Sequence, residues 1–452
     1  MSGREHVLVV GGGFSGTLLA INLLRHDGPR VTLVERRAKQ VARGVAYSAA
    51  DDSHLLNVRA ANMSALPDDP DHFVRWLAAE GEGGPSSFVR RTTYGRYLNA
   101  LLAEACAGAG ERLVVETGDV SAVGANGAVR AVIDGAERRF DRAVLAVGNL
   151  PPHAPPGIDA DALPRDLYCD DPWAADIGEG LGVDDAVLLL GTGLTAIDAA
   201  LLLDRQGFRG RIVAMSRRGL VPRAHVEGQA KAPPADEKPA RTLPGLVHAV
   251  REQVAATGEW RAAVDALRPV TQLMWSGADL ATRQRFLRHL RPFWDVHRHR
   301  LAPQIAARID AMVAEGRLSF QAGKLAAIRP EGDCASVAWR PRGADAPTTA
   351  RFRRIVNCTG PQGDLKRAAD PLLRQLMAAG AIRPDAARLG IDVAADTRVI
   401  GADGRAADRL YAIGPMTRGA WWEVVAVPDI RVQAWNLART LANAHWVGGE
   451  GL

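Results

Sequence analysis

The sequence is poor in cysteine, and its few cysteines are scattered. There are four in 452 residues, at positions 106, 169, 334 and 358, and no two of them form a Cys-x-x-Cys pair. A redox-active dithiol and a cysteine-based zinc centre both need cysteines at short, fixed spacings. The sequence therefore argues against both kinds of site.

Long apolar runs and blocks of positive charge are also absent. No apolar stretch reaches the roughly 20 residues that a membrane-spanning helix needs, and the few residues before the first apolar strand do not form a signal peptide. Lysine occurs at only five positions, and the net charge of +5 comes from arginines interspersed with acids. We therefore expect a cytoplasmic protein with no membrane and no nucleic-acid partner.

A glycine-rich turn near the N-terminus is the first functional motif. An apolar strand, 7–10, leads into the turn, a helical run follows, and a second apolar strand ends at Glu35. In such a motif Gly11 permits the tight turn, Gly13 lets the backbone approach a pyrophosphate, and Gly16 lets helix and strand pack closely. The helix N-terminus offers free N–H groups to the phosphates. The sequence thus predicts a dinucleotide site formed by Gly11, Gly13, Phe14, Ser15, Gly16 and Glu35.

The same order of elements recurs in the second part of the chain. The strand 186–190 leads into Gly191-Thr192-Gly193-Leu194-Thr195, and a helix and the strand 211–216 follow. Each copy continues into short alternating strands typical of a β-meander. Internal duplication is stronger evidence than one motif. We predict an α/β fold with two Rossmann-like dinucleotide-binding domains, each with a β-meander, and a helical insertion in the second.

The residue that ends the second strand distinguishes the two sites. Glu35 can accept hydrogen bonds from a free ribose diol, such as that of the adenosine half of FAD. A carboxylate would repel a 2′-phosphate, whereas a hydroxyl and guanidinium groups can hydrogen-bond one. We therefore expect FAD in the first site and NADPH in the second, bound there by Gly191, Gly193, Leu194, Thr195, Ser216, Arg217 and Arg218. Two alternatives stay open: the two arginines are surface residues only, or the second site prefers NADH.

We predict an FAD-binding domain of residues 1–165 and 361–452 and an NAD(P)H-binding domain of residues 166–360, with the insertion at about 224–316. Within the insertion, apolar and aromatic residues recur at spacings of three and four, which predicts a helix with one apolar face; they are Phe286, Leu290, Phe293, Trp294, His297 and Leu301. Asp295, His297 and His299 diverge on a helix because they are two residues apart, so we expect no metal site. A lid over the nicotinamide or the substrate is an alternative role for the insertion.

Several segments together resemble the bacterial FAD-NAD(P)-binding protein family, a relative of the flavin-containing (class B type) monooxygenases. They span almost the whole chain and are Gly11–Gly16, His54–Val58 with Met63–Ala65, Tyr94–Leu98, Gly191–Thr195 with Asp198, Ser216–Pro222, Arg291–Arg300, Asn357–Pro361 and Trp422–Arg431. The resemblance implies FAD and NADPH as cofactors. It places Asn57, Met63, Gly148, Gly414 and Trp422 near the flavin.

Two departures from better understood relatives narrow the expected chemistry. The Phe-x-Gly-x-x-x-His-x-x-x-Trp fingerprint of Baeyer–Villiger monooxygenases is absent, and Ala146-Val147-Gly148 replaces Ala-Thr-Gly. The resemblance then favours hydroxylation of a heteroatom in a small molecule, in which O2 forms a flavin C4a-hydroperoxide in a dry pocket. One alternative is a flavin reductase or dehydrogenase that uses another acceptor. The other is a nucleotide-binding scaffold without turnover.

The sequence does not identify catalytic residues or an oligomeric state. Candidates for the substrate pocket are His54, Asn57, Arg59, His225, Trp422 and Glu423. Four of them have a structural alternative: the two histidines can be buried and hydrogen-bonded, the asparagine can hold its loop, and the tryptophan can pack in the core.

Overall fold

A computed structural model describes residues 4–48, 51–125, 127–226 and 242–443. The first part of the chain alternates strands and helices and then forms a β-meander. Its elements are β1 (His6–Val10), α1 (Phe14–Arg25), β2 (Arg30–Glu35), α2 (Gly44–Ser48), α3 (His72–Glu80), α4 (Arg91–Ala109), β3 (Leu113–Thr117), β4 (Val120–Gly124), β5 (Val129–Ile133), β6 (Ala136–Phe140) and β7 (Arg142–Leu145).

The second part of the chain repeats this pattern around a set of helices. It comprises β8 (Tyr168–Cys169), β9 (Ala186–Leu190), α5 (Leu194–Arg205), β10 (Arg211–Ser216), α6 (Leu243–Thr257), α7 (Trp260–Ala266), α8 (Arg268–Gly277), α9 (Leu280–Arg285), α10 (Arg291–Arg298), α11 (Pro303–Ala314), β11 (Leu318–Glu331), β12 (Cys334–Pro341), β13 (Thr348–Phe352) and β14 (Arg354–Asn357). The last elements are α12 (Pro371–Ala378), β15 (Arg398–Ile400), β16 (Ala406–Ala412) and α13 (Val427–Leu441). None of the helices in the described ranges is long and apolar enough to cross a membrane.

Two large sheets have the same parallel centre. The strand order is β15-β16-β7-β1-β2-β3 in the first and β13-β12-β11-β10-β9-β14-β8 in the second. The groups β7-β1-β2-β3 and β14-β9-β10-β11 pair in parallel and follow the same order along the chain. This is a duplicated βαβ arrangement, so the predicted fold class is confirmed.

The central strands are apolar throughout because both faces of each sheet are covered. In β1, Val7 and Val9 face the hydrophobic core that contains α1 and α13. Leu8 and Val10 face the opposite core, which contains residues of the meander and α12. Successive side chains of a strand point to opposite faces, and a sheet buried on both sides therefore needs a continuous apolar run.

The two meanders connect to their sheets in different ways. In the first copy, β3 ends at Thr117, and β4-β5-β6 form a separate three-stranded sheet. In the second copy, one long strand, β11, pairs in parallel with β10 and then in antiparallel with β12. An irregularity in register between Leu325 and Ala327 accompanies this second pairing.

The C-terminal segment returns to the first sheet. Strand β16 lies beside β7 in parallel, and Ile413 donates a backbone hydrogen bond of 3.0 Å to Leu145. Strand β8 instead pairs with β14 in the second sheet. Apart from the three-stranded sheet β4-β5-β6, the strands therefore divide between the two large sheets, while the boundaries at residues 165 and 360 stay predictions.

The insertion is helical, but the expected single apolar face was wrong. Residues 286–290 form a π-helical segment between α9 and α10, and this changes which residues share a face. Phe293 is 46 % exposed, whereas the buried residue of α10 is Val296. The spacing rule failed here because it assumes an uninterrupted α-helix.

Candidate functional site

The first glycine loop has room only for glycine at two positions. Gly11 takes φ +101°, and a Cβ there would overlap the carbonyl oxygen of Ala146. A Cβ on Gly16 would overlap the carbonyl oxygen of Gly11. The loop therefore packs tightly under the N-terminus of α1, whose free N–H groups favour an anionic ligand.

Glu35 at the end of β2 holds this loop in place. Its Oε2 accepts a hydrogen bond of 2.9 Å from the Gly12 N–H, and its Oε1 accepts one of 3.1 Å from the Arg37 N–H. The carboxylate is buried and lines a cavity. Because a carboxylate can accept about four hydrogen bonds, Glu35 has capacity left for a ribose hydroxyl.

The second glycine loop repeats the backbone of the first. Gly191 takes φ +134°, and a Cβ there would overlap the carbonyl oxygen of Cys358. A Cβ on Gly11 would overlap the carbonyl oxygen of Ala146 in the same way. Strand register makes Ser216 the counterpart of Glu35, because Val34 pairs with Val10 and Met215 pairs with Leu190. The position that carries a carboxylate in the first copy thus carries a hydroxyl in the second.

The polar groups beside Ser216 differ in their availability. The Ser216 hydroxyl lies 2.8 Å from the Thr192 hydroxyl and accepts a 3.0 Å hydrogen bond from the Gly219 N–H. Arg217 is exposed. Arg218, in contrast, donates hydrogen bonds of 3.1 and 3.2 Å to the carbonyl oxygens of His289 and Arg288 in the insertion. The two arginines therefore differ in how free they are to bind a phosphate, and their assignment to NADPH stays a prediction.

A cavity of about 1340 Å³ extends from the first glycine loop to the second and on to the insertion. Pockets for one small ligand typically have volumes of about 300–1,000 Å³, so this cavity has space for more than one. Its walls include Gly11, Gly13, Phe14, Ser15 and Glu35 of the first site, Leu194, Thr195 and Asp198 of the second, Arg261, Asp265, Arg268 and Arg298–Arg300 of the insertion, and Val425–Val427 before α13.

Most of the loop residues expected near the flavin lie in this cavity. Asn57, Met63 and Gly148 line it, and so do Arg59 and His225 from the list of pocket candidates. Gly414 lies just behind it, with φ +81° and so close to Ser15 that a Cβ would be 2.6 Å from the serine Oγ. Strand β16 thus brings the glycine that follows it, Gly414, to the first glycine loop.

Trp422 and Glu423 are not among the residues that line the cavity, contrary to expectation. The Trp422 ring is 1 % exposed and stacks on Trp275 of α8, with ring centroids 4.6 Å apart. Glu423 accepts a 3.2 Å hydrogen bond from Trp294 and lies 3.3 Å from the Arg298 guanidinium. The insertion covers both residues, and this packing argues against direct contact with flavin or substrate.

His54 is buried and has both ring nitrogens occupied. Nδ1 accepts a 3.1 Å hydrogen bond from the Asp51 N–H, so Nε2 carries the proton and donates a 3.0 Å bond to the carbonyl oxygen of Asp198. The same aspartate pairs through its side chain with Arg91, at 2.8 Å. These contacts join the loop after Glu35 to the second glycine-loop helix and give His54 a structural position.

Two of the histidines that line the cavity, His225 and His299, are neutral near pH 7. Burial lowers the pKa of His225 to about 4, and its Nε2 lies 3.0 Å from the carbonyl oxygen of Asn57. Burial, followed by the charges of Arg298 and Arg418, lowers the pKa of His299 to about 3. Both pKa values lie far below 7, so neither ring carries a proton to donate as a cation near neutral pH.

The arginines of the insertion that line the cavity could not be identified as pocket residues from the sequence. Arg268, Arg298, His299 and Arg300 all line the cavity. Arg300 forms a bidentate pair with Asp265, at 2.9 and 2.8 Å. In the sequence, these residues stand out only as a dense group of charges at 298–300, in a segment that also carries aromatic residues. Whether the charged side chains face the pocket or the solvent depends on the tertiary structure.

Comparison with known protein families gives a match to the first part of the chain. Residues 8–150 match a family described as FAD-NAD(P)-binding. The match contains the first glycine loop, Glu35 and Gly148, and it confirms the family resemblance seen in the sequence. No curated protein sequence is significantly similar to the chain.

Solved structures with the same fold extend over almost the whole chain. Ornithine hydroxylase from Pseudomonas aeruginosa is 16% identical, with a TM-score of 0.67 over 97% of this chain and 99% of that chain. L-lysine 6-monooxygenase from Pseudomonas syringae is 17% identical, with a TM-score of 0.67 over 98% and 100% of the chains. Ornithine N-hydroxylase from Kutzneria sp. 744, in a complex with reduced FAD, NADP+ and L-ornithine, is 15% identical, with a TM-score of 0.64 over 97% and 99%. At these identities the similarity establishes the two-dinucleotide fold.

Proposed function

We propose that the protein is an FAD- and NADPH-dependent monooxygenase that hydroxylates a heteroatom, specifically the nitrogen of a small amine. The observation that carries the proposal is the cavity that connects both glycine loops with the insertion. Two nucleotides bound at the loops can meet in such a space. The ornithine and lysine hydroxylases that share the fold over 97–98% of this chain support nitrogen as the atom that is hydroxylated.

The first loop fits FAD. Gly13 and Ser15 line the cavity at the N-terminus of α1, where N–H groups can bind a pyrophosphate. Glu35 can accept a hydrogen bond from the adenosine ribose. Gly148 has φ +70° and lines the same wall, and Val427 begins α13 at its other side. These residues, with Phe14, Asn57 and Met63, form the proposed FAD contacts.

The second loop fits NADPH. A Cβ on Gly193 would meet no atom within 4 Å, so the loop is open above the N-terminus of α5. Leu194 and Thr195 line the cavity. Ser216 and the exposed Arg217 would bind the 2′-phosphate of NADPH, while Arg218 hydrogen-bonds the insertion. We assign these residues to NADPH, with Arg217 as its main charged contact.

Bound FAD would supply the hydride acceptor for NADPH and the electron donor for O2, while the chain's own residues would orient the partners and exclude water. Burial raises the pKa of Tyr47, on the cavity wall, to about 12, so its phenol stays neutral. His225 and His299 are neutral for the reason given above. Tyr47, His225 and His299 therefore shape the pocket and exclude water from it. None of the three is ready to act as a general acid or base near neutral pH.

The proposal is tested by following the oxygen atoms. FAD-loaded protein is incubated with NADPH, isotopically labelled O2 and a panel of small amines, and the hydroxylated product, the hydrogen peroxide and the NADPH consumed are measured. We expect one labelled oxygen atom in the product for each NADPH oxidised with the correct amine, and slower turnover with NADH. Rapid NADPH oxidation that yields only peroxide, or electron transfer to a quinone, would identify a reductase instead. FAD that NADPH does not reduce under anaerobic conditions would identify a non-catalytic scaffold.

A further inference from the structure

Arg298, at the end of α10, is nearly buried and lines the cavity, and its guanidinium has no hydrogen-bond acceptor among the described residues. Its side chain is 11 % exposed, and its closest carboxylate is Glu423, at 3.3 Å from Nε. The geometry of that contact is poor, because Nε makes no hydrogen bond. Across the described ranges of the chain neither Nη group of Arg298 donates a hydrogen bond to the protein.

The surroundings of Arg298 contain more positive than negative charge. Four arginines and three carboxylates form one cluster between the insertion and the segment before α13; they are Arg268, Arg291, Arg298, Arg418, Asp295, Glu423 and Asp429. Two contacts within it are long: 3.4 Å for Arg268 to Asp429 and 3.3 Å for Arg291 to Asp295. Among the described residues, no carboxylate lies within ion-pair distance of Arg418, whose guanidinium lies over the Trp422 ring, at 4.1 Å from its centroid.

Only two members of this cluster, Arg268 and Arg298, line the cavity. They come from the two sides of the insertion, α8 and α10, and their cavity wall also contains His299. The low pKa of His299 reports the same excess of positive charge, because after burial its causes are Arg298, Arg418, Arg291 and Arg268. A buried cation is costly unless it is paired and hydrogen-bonded.

We infer that Arg298, assisted by Arg268, binds an anionic group of the substrate at the insertion end of the cavity. The planar fork of a guanidinium matches a carboxylate in two parallel hydrogen bonds, so a carboxylate is the group that fits best. The inference rests on the proposed function, since it concerns the substrate of that reaction. It adds that the amine carries a carboxylate, and that this end of the pocket selects for it.

The test compares two probes of the same length and opposite charge. FAD-loaded protein is titrated with pentanoate and with n-pentylamine by isothermal titration calorimetry. We expect pentanoate to bind more tightly than pentylamine, and Arg298→Gln to weaken pentanoate binding by about tenfold to a hundredfold, as expected for loss of hydrogen bonds to a charged group. Arg268→Gln should weaken it less. Arg251→Gln, at an exposed position on α6 in the same insertion, is the matched control and should leave it unchanged.

Two further variants keep the result interpretable. Arg298→Lys keeps the charge but not the fork, and it should retain part of the pentanoate affinity. The double variant Arg298→Gln/Glu423→Gln removes both partners of the contact, so a fold damaged by an unpaired carboxylate can be separated from lost binding. FAD content and melting temperature are recorded for every variant.

The inference is overturned if Arg298→Gln binds pentanoate as well as the wild type does, or if pentylamine binds as tightly as pentanoate. It is also overturned if Arg298→Gln leaves pentanoate binding intact and weakens NADP+ relative to NAD+, because the guanidinium then serves the nucleotide phosphate. The calorimetric readout needs no turnover. Failure of the anion site and failure of the monooxygenase reaction are therefore distinguishable.

Discussion

The two glycine loops share one backbone and differ at the strand that follows each. In both, the first glycine has positive φ, +101° for Gly11 and +134° for Gly191, and a neighbouring carbonyl oxygen excludes any side chain. The next strand ends in Glu35 in one copy, which binds the Gly12 N–H, and in Ser216 in the other, which contacts Thr192. Backbone geometry thus forms the dinucleotide framework, whereas the choice of nucleotide falls to side chains at one strand end.

The helices after the two loops also differ. Asp198 in α5 occupies the position that Leu18 occupies in α1, counted from the first glycine of each loop. Leu18 is buried in its own core, whereas Asp198 pairs with Arg91 of α4, from the first part of the chain. Helix α5 therefore forms an ion pair with the first part of the chain, at the position where α1 has a buried leucine. The following predictions test these differences, from the largest expected effect to the smallest.

Gly11→Ala and Gly191→Ala should separate the two sites. Each adds a methyl group that overlaps a backbone oxygen at a φ that favours glycine, so each loop must distort. We expect Gly11→Ala to be purified without FAD, and Gly191→Ala to keep FAD but lose NADPH affinity by more than about tenfold, or about 1.4 kcal/mol. FAD absorbance per chain and NADPH titration measure the two effects.

The control for these variants is Gly108→Ala. Its Cβ would meet no atom within 4 Å, and the residue lies in α4, so both nucleotides should bind normally. If Gly11→Ala keeps FAD and Gly191→Ala loses it, the assignment of the nucleotides to the loops is reversed.

Asp198→Asn should weaken the contact between the halves. The pair with Arg91 is 2.8 Å long, and the side chains are only 10% and 17% exposed. Removing one partner of a buried ion pair typically costs about 3–5 kcal/mol, and we expect a loss near the lower end, about 3 kcal/mol, in the free energy of unfolding measured by urea denaturation. Asp310→Asn, at an exposed position on α11, should change it by less than about 0.5 kcal/mol. A loss below about 1 kcal/mol for Asp198→Asn would show that this pair does not stabilise the halves.

His225, in the second part of the chain, contacts the carbonyl oxygen of Asn57 in the first part. This histidine should make the free energy of unfolding depend on pH. Burial lowers its folded-state pKa to about 4, while an unfolded histidine has a pKa of about 6.5. The unfolded state therefore binds the proton first, so this contribution is fully present above pH 6.5 and is lost as the pH falls towards 4. Because the ring is only partly buried, we expect a loss of at most about 2 kcal/mol.

His225→Gln should flatten the fall in unfolding free energy between pH 6.5 and 4, as measured by denaturation at a series of pH values. His248→Gln replaces an exposed histidine on α6 and serves as the control, with a fall like that of the wild type. An unchanged pH slope in His225→Gln would assign the effect to other groups.

Arg217→Ala and Arg218→Ala should differ in their effect on coenzyme choice. Arg217 is exposed beside Ser216, whereas Arg218 is hydrogen-bonded to carbonyl oxygens of the insertion. We expect Arg217→Ala to lower kcat/KM for NADPH about tenfold, or about 1.4 kcal/mol, without affecting NADH. Arg218→Ala should have a smaller effect, shared by both coenzymes. Steady-state kinetics with both coenzymes provide the measurement. An equal loss of kcat/KM with NADPH and NADH in Arg217→Ala would show that Arg217 does not bind the 2′-phosphate.

The fold and the two loops could be predicted from the sequence because their determinants are local. A continuous apolar strand, glycines at fixed spacing and a helix within about 25 residues describe a βαβ unit, and the repeat of this pattern indicates the duplication. The equivalence of Ser216 and Glu35 in the two copies follows from the same short-range strand register. Segments matched by resemblance, such as Asn57 and Met63, also lie in the cavity.

The pocket beyond the loops could not be predicted, because it depends on contacts between distant parts of the chain. Trp422 looks like a cofactor contact in the sequence, but Trp275 and the rest of α8 cover it. The periodic face of the insertion is interrupted by a π-helical segment, which no spacing rule anticipates. Arg298, His299 and Arg300 line the cavity, a position that follows from the packing of the insertion and not from the local sequence. The sequence by itself determined the backbone framework for two nucleotides, and only the tertiary structure decided which charges line the cavity, because burial and pairing arise when remote segments pack together.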